Sequence, residues 1–155
     1  MPTNIEQLMQ EVVTYSTEHV HQGGIPFTSF VVDDKGHILG RGVNRVMENN
    51  DPTAHAEVEA IRDACRNVNS SNLRGMTLLA SGEPCGMCYL NALYAGITEV
   101  VFAADSNEAA ESGFDYRATY KMLAGFPQQW PMHMSKFATA GALEPFKLFQ
   151  RKRNF

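Results

Sequence analysis

The chain has 155 residues, 44% hydrophobic and 19% charged, with 13 basic and 17 acidic side chains and a net charge of −4. That is one ordinary domain with enough apolar content for a packed core, which excludes a disordered chain. The acidic balance argues against a long polyanion as the main partner, so nucleic acid is not expected. Three cysteines, an odd number, exclude a disulfide scaffold. No stretch approaches the roughly 18–20 apolar residues of a membrane span, and the first residues lack a signal-type apolar run. A cytoplasmic enzyme or binding domain, single over residues 1–155, is the expectation.

Taken in order, Ile5, Leu8, Met9, Val12 and Val13 recur at helical spacing. Thr3 with Glu6 reads as a capping box, so a helix is predicted from about residue 4 to about 20. His19 and His21 fall at its carbonyl end, where the dipole suits a surface cation. Gly23-Gly24 stops it. Phe27–Val32 and Ile38–Val43 flank Asp33-Asp34-Lys35-Gly36 and predict a hairpin.

After the loop at Asn49–Thr53, a second helix carries Ala54, Val58, Ile61 and Ala64 or Cys65 on one stripe. Met76–Ala80 and Glu99–Ala103 are short apolar runs of strand type. Between them Pro84 opens a helix reaching about Gly96. Helix, hairpin, helix, strand, helix, strand describes an α/β fold whose sheet starts antiparallel and continues through crossovers. Past residue 105 the pattern weakens. Met132–Phe137 is a strand or a helix, and Pro145 opens a short helix with a basic end containing Lys147, Arg151, Lys152 and Arg153.

The chemistry concentrates in His55, Glu57, Cys85 and Cys88. Cys85 and Cys88 lie three apart at a helix start, so both sulfurs face one side, where the dipole favours thiolates. Two thiolates and an imidazole make a three-ligand zinc site with an open fourth position, the mark of a catalytic site. Cys65 is ten residues from His55, about 15 Å along a helix, too far to share the ion. It reads as a small core hydrophobe. Glu57, two places after His55, can lean over the open position and carry protons to and from a water that zinc brings near pKa 7. A redox pair or a closed structural site for the cysteines, a helix-start histidine and a solvated first-turn glutamate remain the alternatives.

As H-x-E followed by P-C-x-x-C, these residues resemble the signature of zinc-dependent base deaminases. The likeness to the cytidine deaminase-like superfamily spans nearly the whole chain: G-G-I-P-F-T-S-F from Gly23, N-D-P-T-A-H-A-E from Asn50, E-P-C-G-M-C from Glu83 and A-A-E-S-G-F-D from Ala109. The first three also suit tRNA adenosine deaminases and yeast-type cytosine deaminases. The fourth points to the guanine branch.

The resemblance implies a three-layer α/β/α sandwich with a mixed five-stranded sheet, bound Zn2+, and a homodimer, in some relatives domain-swapped. Residues 144–155 would then be a swapped or lid segment. It implies hydrolytic deamination of an aminated purine base or nucleoside, first of all guanine to xanthine and ammonia. A guanosine or related aminated-ring deaminase, a tRNA adenosine deaminase, and a zinc-bound interaction domain without turnover are the competing readings.

By the same resemblance Asn44 is a pocket amide and Phe27 an aromatic beneath the base. Asp115 accepts from the ring N–H and exocyclic amine, and Phe155 is a lid aromatic. Thr28-Ser29 stands where the guanine branch has Gly-Ala, implying a bulkier, more polar pocket floor. Tyr94 replaces an indole at the pocket roof, Gly86 replaces a larger residue between the cysteines, and Glu144 stands where some relatives carry a second pocket carboxylate.

Overall fold

The computed structural model describes residues 1–153. Phe155 therefore lies outside the described residues. Helix α1 spans Ile5–His21 and buries Leu8, Val12, Ser16 and His19, one stripe spaced four, four and three. The expected capping box is absent. Asn4, not Thr3, precedes the helix, and its amide lies against Gly36, which shifts Glu6 one place out of register.

Strands β1 (Thr28–Val32) and β2 (Ile38–Val43) form the expected antiparallel hairpin, Thr28 opposite Val43. Asp33 makes the turn, its carboxylate accepting from the Lys35 and His37 N–H groups at 2.9 and 2.8 Å. Strand β3 (Thr77–Gly82) pairs antiparallel with β1, and β4 (Glu99–Ala104) pairs parallel with β3. The order β2-β1-β3-β4 is a mixed sheet of four strands. Alternation along β1 and β3 divides the core: Phe30, Val32 and Leu79 meet Leu8 and Val12 of α1, while Val31 and Leu78 meet the opposite face.

That opposite face carries α3 (Ala56–Val68) and α4 (Gly86–Tyr94). Gly40 and Gly42 on β2 share one side of the strand, and Ala56, Ala60 and Ala64 share one side of α3. A Cβ on Gly42 would sit 2.1 Å from the Ala56 carbonyl oxygen and 2.4 Å from the Ala60 nitrogen. Backbone thus rests on backbone, which presses the start of α3 against the end of β2.

Three short helices were not anticipated: α2 (Val46–Asn49), α5 (Ser106–Glu111) and α6 (Ala118–Ala124). Helix α5 carries a complete capping box, Asp105 accepting from the Glu108 N–H and Glu108 from the Asp105 N–H. The chain divides into a first unit, Met1–Ala124, and a second beginning at Gly125. The second holds a 3-10 turn at Pro127–Gln129 and helix α7 (Glu144–Arg153), which has the expected basic end. Met132–Phe137 is neither strand nor helix; without a neighbouring strand its backbone makes no ladder. The expected fifth strand is thus missing among the described residues. No helix among them is long and apolar enough to cross a membrane.

Gly42→Ala is expected to destabilise the chain by about 3 kcal/mol, near the upper end of overpacking costs, because only backbone is available to move. A urea midpoint unchanged from the parent would contradict the close contact.

Candidate metal and ligand site

Because β1 runs against both its neighbours, β2 and β3 point the same way, and β4 follows β3. The segments leaving β2, β3 and β4 therefore emerge at one end of the sheet, together with the segment that enters β1. Phe27, Asn44, His55, Cys85 and the turn at 114–116 come from those four connections, Asn44 and His55 sharing the one that leaves β2.

His55 is the N-cap of α3 and Cys85 the N-cap of α4, with Cys88 in the first turn. The His55 ring does not bond its own helix, and the Cys85 sulfur faces the side chain of Cys88 in the first turn of its helix. They turn to each other. Cys85 Sγ lies 3.6 Å from His55 Nδ1 and 3.6 Å from Cys88 Sγ, and Cys88 Sγ lies 3.5 Å from His55 Nδ1. A tetrahedral zinc with ordinary bond lengths would hold its sulfurs about 3.8 Å apart and each sulfur about 3.6 Å from the nitrogen. The triangle is one face of such a tetrahedron, and no fourth His, Cys, Asp or Glu joins it among the described residues. A closed structural site would need that fourth ligand.

The charges agree. The neighbouring Cys88 thiol, then His55, hold Cys85 far below the ordinary thiol value of 9.0, at about 4. Cys88 is pushed up by the adjacent Cys85 sulfur and by burial. Hydrogen bonding to Cys85 raises His55. One proton leaves the thiol pair readily and the second is retained, a set that a dication would complete. Cys65, partly buried against the core and pushed up by burial, takes no part.

His55, Cys85 and Glu57 border a cavity of about 310 Å³. Glu57 lies in the first turn of α3, 4% exposed, and burial pushes its carboxyl above the ordinary glutamate value. Phe27 forms an apolar wall with Phe114 and Tyr116, ring centroids 5.4 and 6.2 Å away and nearly perpendicular. Asn44 is buried at the rim. Its Oδ1 accepts from the Val46 N–H at 3.2 Å, its N–H donates to the Phe27 carbonyl at 3.0 Å, and its carbonyl accepts from His19 Nε2–H at 3.1 Å. His19 is thus a buried residue beneath the site rather than a surface cation; its ring occupies the space beside Gly24. His21 is exposed as expected.

Asp115 borders the same cavity from the exposed turn before α6. Arg117 grips it through Nε to Oδ1 at 2.9 Å and Nη2 to Oδ2 at 2.8 Å, which holds its carboxyl down at about 2. The carboxylate is ionised and oriented; Oδ1 also accepts from the Arg117 backbone N–H at 3.1 Å, which fills both its lone pairs, and Oδ2 keeps one for a further donor.

Other expectations find different places. Thr28 and Ser29 do not floor the cavity: their hydroxyls donate to the Val12 and Leu79 carbonyls, both at 2.6 Å, inside the core. Tyr94 ends α4, 88% exposed and absent from the cavity wall. The helix starts at the metal cluster, so its last residue lies about 12 Å along the axis. Glu144, in the second unit, is the first residue of α7, exposed and paired with Lys147 at 3.8 Å.

The resemblance also implies that the backbone around Ala80 to Glu83 lines the zinc side of the pocket, and Glu83 does border it; Ile25, Val46, Phe114 and Tyr116 complete the wall and were not among the expected site residues. Glu83 accepts at Oε2 from the Tyr89 hydroxyl and at Oε1 from the Ser106 N–H, at 3.0 and 2.8 Å. Tyr116 donates to the Glu83 carbonyl at 2.5 Å. The available signal for Tyr116 was adjacency: it follows Asp115.

Residues 2–104 match the family described as the cytidine and deoxycytidylate deaminase zinc-binding region. The chain is 39% identical over 154 residues to the guanine deaminase of Bacillus subtilis strain 168, spanning 98% of this chain and 96% of that protein. An X-ray structure of guanine deaminase from Bacillus subtilis superposes with a TM-score of 0.87 at 36% identity, covering 97% and 96% of the two chains. The tRNA-specific adenosine deaminase of Haemophilus influenzae is 34% identical over 119 residues, 76% of this chain and 69% of that protein.

The metal-free chain is expected to show one thiolate at pH 7 by ultraviolet absorbance, and zinc should raise this to two. Since the Cys85 value is depressed, acidification through about pH 4 should remove the first. Two thiolates already present at pH 7 without metal would refute the shared proton.

Proposed function

The chain belongs to the zinc-binding cytidine and deoxycytidylate deaminase family, in its guanine deaminase branch, and on that premise we propose that it hydrolyses guanine to xanthine and ammonia. The observation that carries this reading is the convergence of a three-ligand cluster, a buried Glu57 and an ionised Asp115 on one small cavity. His55, Cys85 and Cys88 are the residues that would hold the zinc. When bound, zinc supplies a water whose pKa lies near 7 and polarises the reacting centre.

Glu57 is assigned the proton traffic. Its burial raises the carboxyl above the ordinary glutamate value, which makes the carboxylate a stronger proton acceptor, so it can take a proton from the attacking water. It delivers that proton to the purine ring nitrogen and then moves the next one to the departing amine. The balance is guanine plus water giving xanthine plus ammonia.

Phe27 and its edge-on neighbours offer the ring a flat apolar wall, and the Asn44 amide stands at the rim. Asp115 keeps an open lone pair on Oδ2 for a donor such as the exocyclic amine of guanine, and its ionised charge favours a donor-bearing ring edge over one that only accepts. The cavity is at the small end of ligand sites, roughly 300–1,000 Å³, which favours a free base over a nucleoside.

A tRNA adenosine substrate is the second reading, favoured by the Haemophilus influenzae likeness and by the exposed basic end of α7. The net charge of −4 speaks against it. The exposed apolar residues Leu90, Leu93 and Tyr94 on α4 support self-association as a homodimer, expected to show twice the chain mass by light scattering. A monomer at micromolar concentration would refute it.

Ammonia release by the zinc-loaded chain should be fastest with guanine among guanine, guanosine, adenine, cytosine and an anticodon-stem RNA. Glu57→Gln should keep its zinc and lose about a thousandfold in kcat. Asp115→Ala should lower kcat/KM for guanine about tenfold or more. A Glu57→Gln variant at the parental rate, or no purine turned over, would overturn the assignment.

A further inference from the structure

The four residues that lead into the thiol pair, Glu83 to Gly86, are held from outside by a single short segment. The Tyr116 hydroxyl donates to the Glu83 carbonyl and the Tyr120 hydroxyl to the Pro84 carbonyl, both at 2.5 Å. Thr119 Oγ1 accepts from the Gly86 N–H at 2.8 Å and donates to the Tyr116 carbonyl at 2.8 Å. Three bonds thus bracket Cys85 on both sides.

The third bond has a specific reason. The opening N–H groups of a helix need acceptors, and an N-cap side chain reaches only those of the second or third residue, so the first needs a partner from elsewhere. In α4 that first residue is Gly86, which follows the N-cap Cys85, whose sulfur is committed to the cluster. Thr119 supplies the missing acceptor from a different helix. The approach is tight enough to dictate the residue between the cysteines. A Cβ on Gly86 would lie 2.8 Å from Leu123 Cδ1, 3.0 Å from the Thr119 carbonyl oxygen and 3.1 Å from Thr119 Cβ. The small residue in Cys-Gly-Met-Cys is the counterpart of this contact. The rings support the same arrangement, with Tyr116 and Tyr120 at 6.4 Å and Tyr89 and Tyr120 at 6.1 Å between centroids. Burial pushes both Tyr116 and Tyr120 up, Tyr120 to about 12, so each remains a donor at neutral pH.

We propose that Thr119 and Tyr120, neither of which borders the cavity, are positioning residues that clamp the Pro84–Gly86 backbone so that Cys85 and Cys88 present their sulfurs to the metal as a preformed pair. This inference rests on the metal reading of the cluster and adds to it a supporting element outside the matched family region, residues 2–104. Tyr116, at the cavity wall, joins the clamp to the turn carrying Asp115.

The test measures zinc release from the holoprotein to a chromophoric chelator, and the visible spectrum of the cobalt-substituted protein. The variants are Thr119→Val, Tyr120→Phe and their combination. Leu8→Ala, a core truncation on the α1 face, is the stability control. Each single variant is expected to release zinc about 3- to 10-fold faster, the worth of one hydrogen bond. Cobalt bands should be shifted or broadened relative to the parent, and Gly86→Ala should speed release in the same direction. Leu8→Ala should lower Tm at least as much while leaving release and spectrum at parental values.

The clamp is overturned if zinc release stays parental in Thr119→Val and Tyr120→Phe, or if it follows Tm along the same line as Leu8→Ala. Failure of the parental protein to retain stoichiometric zinc would instead overturn the metal reading, and the clamp with it.

Discussion

The direction of the strands is the constraint on which everything else rests. With β1 antiparallel to both neighbours, β2 and β3 run the same way, so the helices that follow them start at the same end of the sheet. Two helix N-termini meet there, and with them two sets of unpaired N–H groups and two positive dipole ends. His55 and Cys85 stand at those N-termini, thirty residues apart in sequence and 3.6 Å apart in space. Reversing β2 or β3 alone would carry one of them to the far end of the sheet. The general tendency of open α/β sheets to bind ligands beyond the carboxyl ends of their strands has here a concrete cause.

Convergence of chain ends sets the ligands near each other, but the triangle of 3.5–3.6 Å needs closer control. On the histidine side that control is backbone-on-backbone packing of α3 over Gly40 and Gly42. On the cysteine side it is the set of tyrosine and threonine bonds to residues 83–86. Both devices depend on small residues, and neither leaves space for adjustment. The parts facing a substrate differ in kind. Asp115 sits on an exposed turn, oriented by Arg117 alone among its ion-pair partners. A rigid metal cluster beside a loop-borne recognition group is the arrangement expected where one chemistry is applied to different bases.

The hairpin, the first helix and the terminal basic helix were legible because their signals are local: a turn between two apolar runs, a stripe at helical spacing, a proline at a helix start. Helices α5 and α6 were not, although Asp105-x-x-Glu108 was available as a capping box. Neither has a broad apolar stripe, and α6 is held by hydroxyls reaching to residues 83–86. His19 misled because helix-end position and dipole suit a surface cation. What buried it was Gly24, which leaves room for the ring, and the Asn44 carbonyl, which accepts from it. Thr28 and Ser29 misled similarly: adjacency to Phe27 suggested the cavity, but both hydroxyls end on core carbonyls.

Sequence by itself determined the chemistry of this protein. Residue types and short spacings specify which atoms can bind a soft dication and where a carboxyl sits relative to an imidazole, and those properties travel with the side chains. The tertiary structure alone decided which of these groups share a cavity, which carboxylates are already engaged, and where the sheet stops at four strands. Those outcomes depend on contacts between segments tens of residues apart. Their distances are set by how strands run and how closely helices can approach, quantities that no local spacing encodes.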